Sequence, residues 1–110
     1  MITDEEYGRF DAVGLAELVE KREVNASELL EAALRRAEAL NPSLNAIVIS
    51  MAELARERAQ TPLSGPFAGV PFLIKDLRQD YAGVPSSSGS RALRNVRCVP
   101  EAHSEIVRRW

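Results

Sequence analysis

Residues 45–76, NAIVISMAELARERAQTPLSGPFAGVPFLIKD, decide the fold expected of this chain. Ala46-Ile47-Val48-Ile49 is a short run rich in β-branched residues and reads as a buried strand. Ser50 stands where it can cap a helix reaching to about Gln60. The next stretch, TPLSGPFAG, is dense in Pro and Gly and reads as a loop. Val70 to Ile74 is a second apolar run, again a predicted buried strand. Pro71 costs it one hydrogen-bond donor, which is tolerable near a strand's start. Strand, helix, strand is a βαβ unit, whose two strands are most often parallel with a right-handed crossover. Neither run alternates, as expected when helices cover both faces of the sheet. The predicted fold class is therefore α/β.

Working upstream, Asp11 can cap a helix running to about Glu23, with Val13, Leu15, Ala16, Leu18 and Val19 on one face. Asn25 and Glu28 have the spacing of a capping box. The helix they open carries Leu29, Leu30, Ala33, Leu34, Ala37 and Leu40 as an i, i+3, i+4 stripe. Asn41-Pro42 is expected to end it, because proline cannot continue a helix and restricts the residue before it. These two helices are expected to pack outside the sheet. Downstream of Asp76, a long loop is predicted through Pro85 and Gly89, then a last helix from near Pro100 through Ile106, Val107 and Trp110.

A length of 110 residues suits one domain, and 45% hydrophobic with 27% charged residues argues against a disordered chain. The net charge of -2, with both signs interspersed, gives no basic footprint for nucleic acid. Cys98 is the single cysteine, so no internal disulfide and no oxidising compartment is implied. The opening MITDEEYGRF is acidic and polar, unlike a signal peptide. No apolar run approaches the roughly 20 residues that span a bilayer. The expectation is a soluble, cytoplasmic protein with neither nucleic-acid nor membrane partners.

Lys75 follows the second predicted strand directly. In open α/β sheets ligands bind beyond the carboxyl ends of the strands. A lysine there can have its stem buried, and burial penalises the ammonium form. A neutral lysine can take a proton from a serine hydroxyl and return it to a leaving amine. On position alone, Lys75-Asp76 reads equally as an ordinary charged pair where a strand meets solvent. A Ser–His–Asp set built from Ser90, His103 and Asp76 has no support in the spacing. His103 and Cys98 are too few to ligate a metal, so no metal site is predicted.

The stretch PLSGPFAGVPFLIKDL, residues 62–77, resembles the amidase signature family at the segment ending in its catalytic lysine. A Gly-Val/Ile-Pro turn there enters a buried strand and Lys-Asp follows; the matching residues are Gly69, Val70, Pro71, Lys75 and Asp76. Upstream, ALRRAEALNPSLNAIV is similar to the family's N-terminal helix and first strand, with Arg36, Asn41-Pro42, Asn45 and Ala46 in place. Downstream, GVPSSSGSRAL supplies Gly83, Ser87, Ser88, Gly89 and Ser90, and HSEIVRRW resembles a following helix.

The resemblance implies a partial amidase domain over residues 1–110, the N-terminal portion of the amidase-signature fold. It implies hydrolysis of carboxylic amide C–N bonds in linear amides through a Ser–cisSer–Lys triad, without a cofactor. Lys75 is then the triad base and Asp76 a residue that helps fix the loop. Both triad serines are expected in a Gly/Ser-rich segment downstream of this chain, so these residues alone are predicted inactive. The serines at 86–88 and 90 are set aside as nucleophiles because they follow Lys75 too closely; they read as a polar loop whose hydroxyls bond nearby backbone. His103 departs from an acidic residue common in the family at a helix start. Leu77 stands where subunits acting on charged tRNA usually carry Asn, which favours small or oligomeric amides as substrates. Substrate-binding residues stay unassigned. A homo-oligomer or a complementing chain is the expected protein partner. The alternative is a non-catalytic fragment that only binds such a partner.

Overall fold

The computed structural model describes residues 1–110. It contains six helices and no strand, in two compact units, Met1–Phe72 and Leu73–Trp110.

The first unit holds α1 (Asp4–Tyr7), α2 (Ala12–Glu20), α3 (Ala26–Leu44) and α4 (Ala52–Ala59). The starts of α1, α2 and α3 follow from side chains that satisfy the free N–H groups of a first helical turn. Thr3 and Glu6 form a capping box on α1, Asp11 Oδ1 accepts from Gly14 N–H at 2.8 Å on α2, and Asn25 and Glu28 form a second capping box on α3. The core is Ile2, Leu15, Leu29 and Ala32, with Tyr7, Leu18, Val19, Val24 and Val70 packed against it. Polar ties hold the rim. Arg35 reaches both Asp4 Oδ1 (2.9 Å) and the Ile2 carbonyl (3.2 Å). Arg56 of α4 grips both carboxylate oxygens of Glu31 on α3, at 2.7 and 3.1 Å.

The expected βαβ unit is absent, and with it the sheet and the α/β class. Each run has a local reason. Asn41 captures the first: its Oδ1 accepts from Ala46 N–H (2.9 Å) and Ile47 N–H (2.8 Å), and its Nδ2 donates to the Ile47 carbonyl (2.9 Å). Three of the groups a ladder would use, at Ala46 and Ile47, are therefore already paired. In the second run, Val70 N–H turns back to the Phe67 carbonyl at 3.0 Å and Pro71 has no N–H. Val48 and Leu73, predicted buried, are 58% and 69% exposed.

Two helix boundaries also differ. Pro42 lies inside α3, whose last turn continues to Leu44. Proline there forfeits one hydrogen bond near the helix end, and Asn45 N–H still closes on the Asn41 carbonyl at 2.7 Å. Asn45, at φ 49°, ends the helix in the left-handed conformation that Asn tolerates. For α4 the capping residue is Met51, not Ser50, and it makes no side-chain cap.

Gly69 fastens the segment before the second run to the helices. Its φ is +85°, and a Cβ there would lie 3.2 Å from both Ala26 Cβ and Val19 Cγ1. A left-handed backbone and a close approach coincide, so only glycine fits unstrained.

The second unit holds α5 (Arg91–Asn95) and α6 (Glu105–Arg109). The last helix thus starts five residues later than expected from Pro100, and α5 lies between the loop predicted through Gly89 and that helix, where no element was expected. Backbone bonds tie its two halves: Gly83 N–H to the Pro100 carbonyl (3.0 Å), Ser86 N–H to the Cys98 carbonyl (2.9 Å) and Ser104 N–H to the Asp80 carbonyl (3.0 Å). Val107 is its buried apolar residue. No helix of the chain is long and apolar enough to cross a membrane.

Candidate functional site

Lys75 does not sit at the end of a strand. It lies in irregular backbone just before a turn over residues 76–78, and it is exposed. Its backbone N–H donates to Gln79 Oε1 at 2.7 Å. The chain can return to Lys75 in four residues because Arg78 takes φ 62°, in the left-handed region. The expected burial of the lysine stem is not supplied within these residues.

Asp76 is engaged elsewhere. Its Oδ1 accepts from Ser86 Oγ at 3.2 Å and from Ser87 N–H at 2.9 Å, while Ser87 Oγ donates to Oδ2. Partial burial opposes the charge on Asp76, but the Ser87 hydroxyl and N–H, the Ser86 hydroxyl and the Ser88 N–H outweigh it and hold the carboxyl below its ordinary range. No ion pair joins Lys75 and Asp76, and the carboxylate is spent on the serine loop; the exposed Lys75 side chain agrees with the reading of a charged residue that meets solvent.

That loop folds compactly around the contact. Ser88 and Gly89 have φ 47° and 72°, and Ser90 N–H closes a turn on the Ser87 carbonyl at 2.8 Å. The Ser90 side chain then caps α5, accepting from Leu93 N–H at 3.5 Å. Only Ser90 bonds nearby backbone as expected of the whole cluster; Ser86 and Ser87 serve a side chain ten and eleven residues away.

His103 precedes α6 rather than starting it, and is exposed. Its Nδ1 accepts from Ala82 N–H at 3.0 Å, and its ring meets Tyr81 edge-on with centroids 4.4 Å apart. It fastens a turn and approaches neither Ser90 nor Asp76 through any hydrogen bond. Cys98 is exposed. No group of three or more His, Cys, Asp or Glu side chains could hold a metal ion. Gln79 is the site residue that the sequence reading leaves out. Its signal was a long amide four residues after the lysine, meaningful only once Arg78 is known to reverse the chain.

A lysine and an aspartate at the head of a serine-pinned turn is the arrangement these residues build, and comparison with known proteins gives it a family. The amidase family profile matches residues 28–110. The chain belongs to the amidase family. The 6-aminohexanoate-cyclic-dimer hydrolase of Paenarthrobacter ureafaciens is 42% identical over 84 residues, covering 76% of this chain and 17% of that protein. A Mycobacterium tuberculosis protein that carries the name amidase AmiC is 41% identical over 107 residues, 96% of this chain and 22% of its own. The acylamidase of Rhodococcus erythropolis is 33% identical over 100 residues, 84% of this chain and 21% of its own. The chain thus spans about a fifth of the length of these relatives. No solved structure matches it.

Proposed function

We propose that this chain contributes the base, Lys75, to an amidase that hydrolyses carboxylic amide C–N bonds through a Ser–cisSer–Lys triad. The observation that carries the reading is the family match over residues 28–110, which includes the Lys75-Asp76 pair. The geometry supports it in one respect. Asp76 is bound to Ser86 and Ser87, so the lysine amine is not held in an ion pair by its neighbour.

In this reading both serines come from residues outside these 110, together with the surface that buries the Lys75 amine. Lys75 takes a proton through the bridging serine as the nucleophilic serine attacks the amide carbonyl. The C–N bond breaks, the amine departs with that proton, and water releases the acid from the acyl-enzyme. Asp76 acts at one remove by fixing the loop. Small or oligomeric amides are the substrates proposed, in keeping with relatives named for a cyclic amide dimer and for acylamides.

Exposed apolar side chains favour a second role alongside this one. Leu73 and Val96 are 69% and 74% exposed, and surface of this kind suits a complementing chain or a second copy.

The test is a chimera in which residues 28–110 replace the matching stretch of the Paenarthrobacter hydrolase, assayed on 6-aminohexanoate cyclic dimer. Turnover is expected, with a loss of at least a thousandfold on Lys75→Ala, of the order that removing one member of a triad costs. The purified 110-residue chain is expected to show none. Turnover by that chain alone, or a Lys75→Ala chimera as active as its parent, sinks the proposal.

A further inference from the structure

We infer that Gln79 is a positioning residue for Lys75, holding the lysine backbone from which the amine projects. The inference rests on the reading of Lys75 as the triad base and adds a residue to it.

Two separate ties converge on the residue 75–76 junction. Gln79 Oε1 takes the Lys75 N–H at 2.7 Å. On the other side, the Asp76 carboxylate is pinned by Ser86 and Ser87. One tie therefore precedes the Lys75 Cα and the other follows it. Held at both ends, the backbone torsions of Lys75 are narrowed, and the Cα–Cβ direction with them. A lysine stem has four rotatable carbons, so the base of that stem is the part the fold can fix cheaply. Misplacing a proton-transfer group by about 1 Å can cost about a hundredfold in rate.

The chemistry asks for a specific side chain at position 79. The acceptor must be an oxygen at the reach of a three-carbon side-chain acid or amide. Glu keeps that oxygen and that reach. Asn is one methylene short, and Met keeps the length but offers only a weak sulfur acceptor. A residue that merely fills the turn would not rank these three variants in that order.

The first test uses this chain. Amide exchange and the HN–Hα coupling of Lys75 are measured by NMR in the parent, Gln79→Met and Gln79→Glu. Exchange at Lys75 is expected to rise about tenfold in Gln79→Met, the equivalent of about 1.4 kcal/mol, and its coupling to move toward the averaged value of a free chain. Gln79→Glu is expected to restore both. Unchanged exchange and coupling in Gln79→Met overturn the inference. The second test is kinetic, in the chimera described above. Gln79→Met is expected to lower kcat about tenfold at unchanged KM and melting temperature, with rescue by Gln79→Glu. Loss of activity on Lys75→Ala with no change in kcat on Gln79→Met overturns the positioning role and leaves Lys75 as the base. Full activity in Lys75→Ala removes the base itself, and leaves the Lys75–Gln79 bond to be judged by the NMR result.

Discussion

Asp76 and Ser87 are joined twice, once through the Ser87 N–H at 2.9 Å and once through the Ser87 hydroxyl, each to a different carboxylate oxygen. With Ser86 Oγ also on Oδ1 at 3.2 Å, one carboxylate closes the loop that runs from the turn at Lys75 to the cap of α5. Asp76→Ala is expected to raise amide exchange at Ser87 by an amount equal to about 1–2 kcal/mol, the lower part of the range for bonds to a charged acceptor because the site is only half-buried. Asp76→Asn keeps one oxygen and is expected to fall between. Ser87 exchange that is indifferent to both substitutions contradicts the clamp.

The same contact fixes a pH dependence. The donors around Asp76 outweigh its partial burial, so its folded carboxyl titrates below the ordinary aspartate value of about 3.9. A carboxyl depressed on folding contributes stability that is fully present above its unfolded value and is lost as pH falls through the folded one. The loop is therefore expected to stay fastened from neutrality down to about pH 4 and to loosen below it. Glu6 and Glu28 are also lowered, by their capping-box bonds, so the readout must be local. The Ser87 amide shift should titrate with a midpoint below the ordinary aspartate value of about 3.9 and lose that transition in Asp76→Asn; a midpoint above the ordinary value would refute the assignment.

Gly69 offers a test of how the segment before Lys75 is seated in the first unit. Gly65 and Gly69 both have positive φ, +105° and +85°, but only Gly69 has neighbours where a Cβ would go. Gly65→Ala is expected to cost about 1 kcal/mol for backbone strain alone. Gly69→Ala is expected to cost about 1–2 kcal/mol more, because Ala26 and Val19 must give way. Denaturant titrations of the two variants would read the difference directly, and equal losses would mean that the close approach carries no energy.

Two helix starts were legible because each cap is written within four residues, whereas the starts of α4 and α6, which lack a side-chain cap, were misplaced. Asp11 before α2, and Asn25 with Glu28 before α3, act as the sequence reading expects. Thr3 and Glu6 carry the same signature before α1 and could have been read the same way. Strands were not legible, because a run of β-branched residues states only that a segment could pair. Whether it does depends on groups elsewhere, and here an asparagine side chain reached the backbone first. The candidate site divides similarly. Lys75 and Asp76 stand out through the text around them, whereas the partners of Asp76 lie ten and eleven residues on and that of Lys75 lies across a left-handed Arg78.

Asn41 is the residue on which that correction turns, and it can be tested. Its amide makes three bonds to residues 46 and 47, two as acceptor and one as donor. Asn41→Ala removes all three and leaves the Ala46 and Ile47 N–H groups and the Ile47 carbonyl to solvent, with only Ile47 part-buried, so a loss of about 1 kcal/mol is expected. Asn41→Asp retains both acceptances, but sets a negative charge against the Ile47 carbonyl and near the C-terminal end of α3, where the helix dipole disfavours it. It should therefore protect the Ala46 and Ile47 amides from exchange while still lowering the melting temperature. Should Asn41→Ala leave both amides as protected as in the parent, the capture of this run by Asn41 would be wrong, and another partner would have to account for its failure to form a strand.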